Sequence, residues 1–228
     1  MEGLFSQVLP LALGAMVSPT LLTLQVLVLS SPVKPKLKAW ALTLGAALTL
    51  ILYAVLGVTV LKSVGNGESS NTEHSWTYIV IRVVCGILLL LLGLRALRGK
   101  PTAGENHQSK VKTKLASAGP LFYLPVGLVG MLTDVSSLIL FLPALHDITR
   151  SSADTAAKAL VFGFLYLMVM LPLLLPVLLV TVMGSKADGM LASLNRFVSA
   201  NSRRINAGIC FLFAAYLLWS GVSAFIHR

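Results

Sequence analysis

Charged residues are scarce in this sequence, and acidic residues are the scarcest. Only 11% of the 228 residues are charged, and 8 are acidic, whereas soluble domains average about 25% charged residues. Hydrophobic residues make up 56% of the chain, and the mean hydropathy is +0.86. This composition argues against an ordinary soluble domain and predicts an integral membrane protein.

Several functional motifs are also missing. The sequence has no glycine-rich phosphate loop, which argues against ATP as the direct energy source. The 4 histidines and 2 cysteines form no cluster with metal-ligand spacing, so we predict no metal, no cofactor and no enzymatic activity. The net charge of +10 would suit nucleic acid, but the basic residues flank apolar segments, where they orient a chain in a membrane. Nucleic acid is therefore not a predicted partner.

Long apolar segments are what the sequence does contain. An α-helix needs roughly 20 apolar residues to cross the hydrocarbon of a bilayer. Six segments meet this length, which predicts an all-α integral membrane protein with six transmembrane helices. Their approximate bounds are Leu4–Ser30, Lys38–Leu61, Trp76–Leu97, Ala118–Leu145, Ala156–Met183 and Ile205–Ile226.

Lysine and arginine concentrate in the first, third and fifth connections between these segments. Basic loops stay on the cytoplasmic side of a membrane, so this asymmetry predicts that both termini face outside the cytoplasm. The connection from 99 to 117 is polar and basic and lacks hydrophobic periodicity. We interpret it as a cytoplasmic linker between two halves, 1–98 and 118–228.

The two halves resemble each other in sequence. The stretch "LPLALGAMVSPTLL" from Leu9 matches "LPVGLVGMLTDVSS" from Leu124, and "RVVCGI" from Arg82 matches "RINAGI" from Arg204. Each half contains three spans, an odd number, so the second half must enter the membrane from the opposite side. This predicts a 3+3 inverted repeat, an architecture of many secondary transporters whose substrate site lies near the midplane.

Two stretches carry a family resemblance, "VSPTLLTLQVLVLSSP" from Val17 and "LTDVSSLILFLPAL" from Leu132. With them the chain resembles the lysine-exporter (LysE) superfamily, and within it most closely the glycopeptidolipid- and sulfolipid-addressing proteins of actinobacteria, the GAP or Sap family. The resemblance implies a bacterial cell-membrane protein that exports a small or amphipathic molecule. Amino-acid exporters of the superfamily carry Asn-Pro where this chain has Thr133-Asp134, which argues against lysine or arginine as substrate.

Polar residues cluster at matching positions of the first and fourth spans. Pro19 removes a backbone donor and should kink or open the first span, freeing carbonyls near Ala15. A proline kink used only for packing, with hydroxyls bonded back to the helix, is the alternative. The predicted substrate-binding residues are Ser18, Pro19, Thr20, Thr23, Gln25, Thr133, Asp134, Ser136 and Ser137.

Asp134 is the only acidic or basic residue between Leu121 and Leu145. A charged side chain at the centre of a bilayer costs on the order of 3 kcal/mol, so this carboxylate must face protein, water or a partner. It could exchange a proton and couple transport to the proton gradient, or it could attract a cationic group of the substrate. Alternatively, it caps an interrupted helix without a further role.

Arg82 lies inside the third span, and we favour a side chain that reaches the outer headgroups. Pairing with Asp134 or with an anionic substrate is the alternative. Two further segments have predicted shapes: the fifth span should bend at Pro172 and Pro176, and 190–198 could be a short interfacial helix or a plain loop. Three glycines should permit close helix contact, namely Gly86, Gly93 and Gly208.

A proton-coupled secondary exporter is therefore the leading hypothesis, with the lipid bilayer and a lipid, glycolipid or amino-acid-like molecule as partners and a homodimer as an option. A non-transporting accessory protein for lipid export is the second. The third is a membrane thiol electron carrier that resembles the DsbD type. Such carriers place paired cysteines in the first and fourth spans, whereas Cys85 and Cys210 lie in the third and sixth spans.

Overall fold

The computed structural model describes residues 2–31, 33–64, 76–98, 118–184 and 186–226. Within these ranges the chain is helical apart from short connections, and it contains no strand. The predicted linker 99–117 lies outside the described residues. The helices are α1 (Glu2–Met16), α2 (Pro19–Leu29), α3 (Pro35–Val64), α4 (Trp76–Arg98), α5 (Tyr123–Thr133), α6 (Val135–Arg150), α7 (Thr155–Met183) and α8 (Lys186–Ile226).

Four helical stretches are long and apolar enough to cross a membrane on their own: α3, α4, α7 and residues Arg204–Ile226 of α8. Two bent pairs pass the same test as pairs, α1 with α2 and Pro120–Thr133 with α6. These six stretches lie where the sequence predicts six spans. The fourth continues to Arg150 and so includes His146 and Asp147, which the predicted bound at Leu145 leaves out.

The first bent pair turns by 50° between Met16 and Pro19. Pro19 is the first residue of α2, a position where proline is tolerated because its missing N–H would have no helical partner. The Ser18 hydroxyl caps the helix by accepting a hydrogen bond from the backbone N–H of Leu21 at 3.3 Å. Proline and serine together therefore end one helix and begin the next.

The second bent pair turns by 70° at Asp134, without a proline at the break. Asp134 occupies the N-cap position of α6 with φ −83° and ψ 68°, and its backbone N–H bonds to the carbonyl of Met131 at 3.2 Å. Aspartate is common at N-cap positions, but the Asp134 side chain makes no cap hydrogen bond here. Both interruptions predicted from the repeat are therefore present.

The last two helices are each continuous: α7 has its predicted bounds to within one residue, and α8 begins earlier than the predicted sixth span. Helix α7 continues through Pro172 and Pro176 as one element. Helix α8 spans 41 residues and includes 190–198, so the prediction of a separate short helix there is wrong. The reason is packing: Leu191 is buried against Val26 and Val180, which fixes this part of α8 to the ends of α2 and α7.

Helices α4 and α8 form the most extensive contact and run antiparallel. A methyl group at Gly86 would lie 2.9 Å from Leu218, and one at Gly93 would lie 3.2 Å from Cys210. The predicted role of these two glycines in close packing is confirmed. It is wrong for Gly208, which has open space around it, whereas Gly221 packs against Val83.

Helices α3 and α5 touch backbone to backbone. A side chain on Gly45 would overlap the carbonyl of Leu124, and one on Gly127 would overlap the carbonyl of Leu42. These two glycines therefore allow α5 to lie directly on α3. Since α5 ends at Thr133, this contact sets the position of the second break.

Candidate functional site

The two breaks lie against each other. The hydroxyl of Ser137, in the first turn of α6, donates a hydrogen bond of 3.0 Å to the carbonyl of Ala15, in the last turn of α1. Ala15 lies four residues before Pro19, which has no N–H to offer that carbonyl. A backbone group freed by the first break is thus satisfied by a side chain from the second.

Asp134 is buried at this junction, with 5% of its surface exposed. Its Oδ1 accepts a hydrogen bond of 2.9 Å from the Ser136 hydroxyl, and its Oδ2 has no hydrogen-bond partner among the described residues. The amino terminus of α6 carries a partial positive charge that favours a carboxylate here. The thiol of Cys210, from α8, lies within electrostatic range. This arrangement leaves one carboxylate oxygen available to a proton or a cationic group.

Ser18 and Pro19 are buried on the first side of the junction. The Ser18 oxygen already accepts a hydrogen bond from the Leu21 N–H, as a helix cap does. A hydroxyl retains a donor hydrogen and a second lone pair when it accepts one bond. Ser18 can therefore contact a ligand while it holds the helix start.

Gln25 is fully buried, but it faces α3. Its amide nitrogen donates to the Thr43 hydroxyl at 3.1 Å and to the Ala39 carbonyl at 3.4 Å. Its Oε1 has no hydrogen-bond partner among the described residues. The Gln25 side chain thus links α2 to α3 instead of joining the carboxylate at the second break.

The predicted threonines do not join the junction as a group. Thr20 and Thr133 are exposed, and the Thr133 hydroxyl bonds back to the carbonyl of Gly130 at 2.9 Å. Thr23 is half-buried. The junction that the structure builds is narrower than the predicted set and consists of Ser18, Pro19, Asp134, Ser136 and Ser137.

Arg82 pairs with a residue that the sequence analysis did not predict as its partner. Its side chain is 2% exposed, and its Nη2 lies 2.7 Å from Oδ2 of Asp147. The interpretation that it reaches headgroups is therefore wrong, since the side chain points into the bundle. Pairing with Asp134 does not occur either, because Asp134 precedes Asp147 on α6 by about 20 Å of helix.

Sequence reasoning missed the polar residues around Arg82. Asp147 and His146 lie just beyond the predicted end of the fourth span, and both are buried. The imidazole Nδ1 of His146 lies 3.7 Å from Oδ1 of Asp147. Arg82 also donates to the hydroxyl of Ser220 and lies 4.4 Å from the centre of the Tyr78 ring. The available signal was a strongly amphipathic pattern that continues to Arg150.

Neither cysteine is placed for redox pairing. Cys85 and Cys210 are both buried and free. Gly93 faces Cys210 across the α4–α8 contact, and Cys85 lies eight residues before Gly93, which is about 12 Å along the helix. Among the described residues, no group of three or more histidine, cysteine or acidic side chains could hold a metal ion.

Comparison with known families identifies a match over most of the chain. The family model described as "Sap, sulfolipid-1-addressing protein" matches residues 8–223 of this chain. The match covers both breaks and nearly all of the sequence. Comparison with curated proteins and with solved structures returned no significant match.

Proposed function

The chain belongs to the Sap family of sulfolipid-1-addressing proteins, and from that premise we propose that it is a proton-coupled secondary exporter of a lipid, glycolipid or other amphipathic molecule. The observation that carries this proposal is Asp134, buried where the two broken helices meet, with one carboxylate oxygen unpartnered among the described residues. A buried ionisable residue inside a membrane is costly and usually serves a substrate or ion pathway.

The proposed architecture is a 3+3 inverted repeat whose midplane site lies between the halves. The helix contacts between the halves support it, because they recur when the two halves are exchanged: α4 packs on α6 as α8 packs on α2, and α3 packs on α5 as α7 packs on α1. Broken helices in inverted repeats expose helix ends that bind charged groups. Rocking of one half against the other would then expose the junction to each side in turn.

We further propose that the protein resides in the bacterial cell membrane with both termini outside the cytoplasm. Exposed Lys34 and Lys36, at the connection between α2 and α3, support this orientation by the positive-inside rule. The bilayer and the substrate are the proposed partners. Neither enzymatic activity nor a cofactor is part of this proposal.

The test is transport by purified full-length protein in liposomes that contain a pH-sensitive dye, with sulfolipid-1 as the first probe. Wild-type protein should move the lipid and move protons in the opposite direction, as a proton-driven exporter must. Asp134→Asn should lower the lipid flux about tenfold or more, a barrier increase of about 1.4 kcal/mol, and remove its dependence on the pH gradient.

The matched control is Asp154→Asn, because Asp154 is an exposed acid at the start of α7. This variant should transport at the wild-type rate. Unchanged flux and unchanged pH dependence in Asp134→Asn would remove the carboxylate from the mechanism. If wild-type protein moves lipid only after a partner protein is added, the accessory role replaces the transporter.

A further inference from the structure

A second buried polar group lies far from the proposed substrate site. It occupies the end of the bundle formed by the start of α4 and the ends of α6 and α8. We call it the end cluster, and its members are Tyr78, Arg82, His146, Asp147 and Ser220. Arg82, His146 and Asp147 are each 2% exposed.

The ion pair in the end cluster joins the two halves of the chain. Arg82 comes from α4 and Asp147 from α6, with Nη2 and Oδ2 2.7 Å apart. Arg82 also donates to the Ser220 hydroxyl of α8, and the Tyr78 hydroxyl lies 3.3 Å from the same oxygen. One guanidinium therefore fastens three helices at one end of the bundle.

The end cluster is only partly satisfied in this conformation. Among the described residues, Nε of Arg82, Oδ1 of Asp147 and Nε2 of His146 have no hydrogen-bond partners. A buried polar network that serves packing alone is expected to satisfy its members, because a half-satisfied network is worse than an apolar core. These unpartnered donors and acceptors fit a network that exchanges hydrogen-bond partners between two conformations.

The arginine that corresponds to Arg82 in the second half does not form a buried ion pair among the described residues. The sequence repeat matches Arg82 with Arg204, which is exposed near the opposite end of the bundle. In the part of the chain that the structure describes, arginine therefore closes one end of the bundle and not the other. Alternating access requires the two ends of a transporter to open in turn, and interfaces held by ion pairs are elements that such transitions rearrange.

We propose that the Arg82–Asp147 pair is an ionic gate that holds this end of the bundle closed and separates when the end opens. The inference rests on the proposed transport function, since a gate needs an opening. The Arg82 guanidinium and Asp147 carboxylate act on access to the junction at Asp134 and do not contact the substrate there. They are positioning residues.

The test measures access to a buried position one turn inside the gate. Ala144 is fully buried on α6, three residues from Asp147 toward Asp134. The reporter is the full chain with Ala144→Cys in a Cys85→Ala, Cys210→Ala background, reconstituted in liposomes. It reacts with N-ethylmaleimide, and mass spectrometry measures the rate of labelling. Asp147→Asn and Arg82→Gln should each speed labelling at least fivefold, and Asp147→Glu, which keeps the charge pair, should stay within twofold.

The matched control is Lys38→Gln, because Lys38 is a buried cation at the opposite end of the bundle, where its Nζ donates to Ser31 at 2.9 Å. It should leave labelling of the reporter unchanged. If the Asn and Gln variants do not fold, Ser220→Ala removes one bond of the gate and should speed labelling about twofold. Unchanged labelling in the gate variants that fold, or equal acceleration by Lys38→Gln, would overturn the inference.

This experiment separates the gate from the proposed function, because labelling needs no substrate. Faster labelling in a protein that moves no lipid would refute transport and leave the ion pair as the closure of this end. If the protein transports lipid but the gate variants label Ala144→Cys at the wild-type rate, the gate is refuted and the exporter proposal stands.

Discussion

The break between α1 and α2 and the break between α5 and α6 bend their spans by 50° and 70°, and different residues make them. At the first, Pro19 cannot continue the helix, and Ser18 caps the new one through the Leu21 N–H. At the second, Asp134 holds the cap position, but its side chain makes no cap hydrogen bond. The backbone carbonyl freed at the first break accepts a hydrogen bond from Ser137, whereas the second break leaves a buried carboxylate oxygen without a partner among the described residues.

The residues at the first break serve the fold, whereas Asp134 at the second break has a carboxylate oxygen, unpartnered among the described residues, that a ligand or a proton could use. At the first break, serine and proline begin the new helix, and Ser137 satisfies the carbonyl that the break frees. An aspartate that neither caps nor finds a partner for Oδ2 costs stability unless it serves a ligand. Four variants test this distinction, beginning with the contact that sets the position of the second break.

Gly45→Ala should have the largest effect. The added methyl group would overlap the Leu124 carbonyl, and backbone cannot move aside as a side chain can. We expect a loss of about 2–3 kcal/mol in unfolding free energy, typical of overpacking, measured by denaturation in detergent. The control is Gly163→Ala, because a methyl group at this glycine of α7 meets open space, and the variant should melt at or above the wild-type temperature.

Asp134→Ser gives the second break the capping residue of the first. A serine hydroxyl can reach the N–H groups of the first turn of α6, and the buried charge is removed. We expect a gain of about 1 kcal/mol in unfolding free energy together with a lipid flux lowered about tenfold. Retained flux in liposomes, or a lower melting temperature, would contradict the contrast between the two breaks.

Ser137→Ala should have a smaller effect, because it removes only the hydrogen bond to the Ala15 carbonyl. The expected loss is about 1 kcal/mol of stability, read from thermal denaturation in detergent. Its neighbour Ser136 bonds to Asp134 instead, so Ser136→Ala should leave the contact between the breaks intact. Equal losses in both variants would show that the bond between the breaks has no special weight.

The Cys85→Ala, Cys210→Ala double variant should have the smallest effect. The breaks contain no cysteine, and the two thiols are offset by about 12 Å along the packed helices, too far apart for a disulfide. Lipid flux should stay within about twofold of the wild-type rate, a change of less than ~0.5 kcal/mol. Complete loss of function would revive the thiol-carrier hypothesis.

Helix existence was predictable at every span, because apolar runs of this length in a bilayer must satisfy their backbone internally. Both breaks were predictable as well, one from proline chemistry and one from the matched position of Asp134. The fourth span was predicted too short because His146 and Asp147 resemble a loop in sequence. In the fold both are buried, and Asp147 pairs with Arg82, which lies 65 positions earlier in the sequence.

Composition and spacing by themselves determined that this chain is a helical membrane protein with paired interruptions, since those properties depend on local hydrophobicity and backbone chemistry. Only the tertiary structure decided which polar atoms meet. Ser137 donates a hydrogen bond to the Ala15 carbonyl, and Gln25 donates one to Thr43 of α3. Arg82 pairs with Asp147 and not with Asp134. Those choices depend on helix register and rotation, which the glycines at the α3–α5 and α4–α8 contacts set.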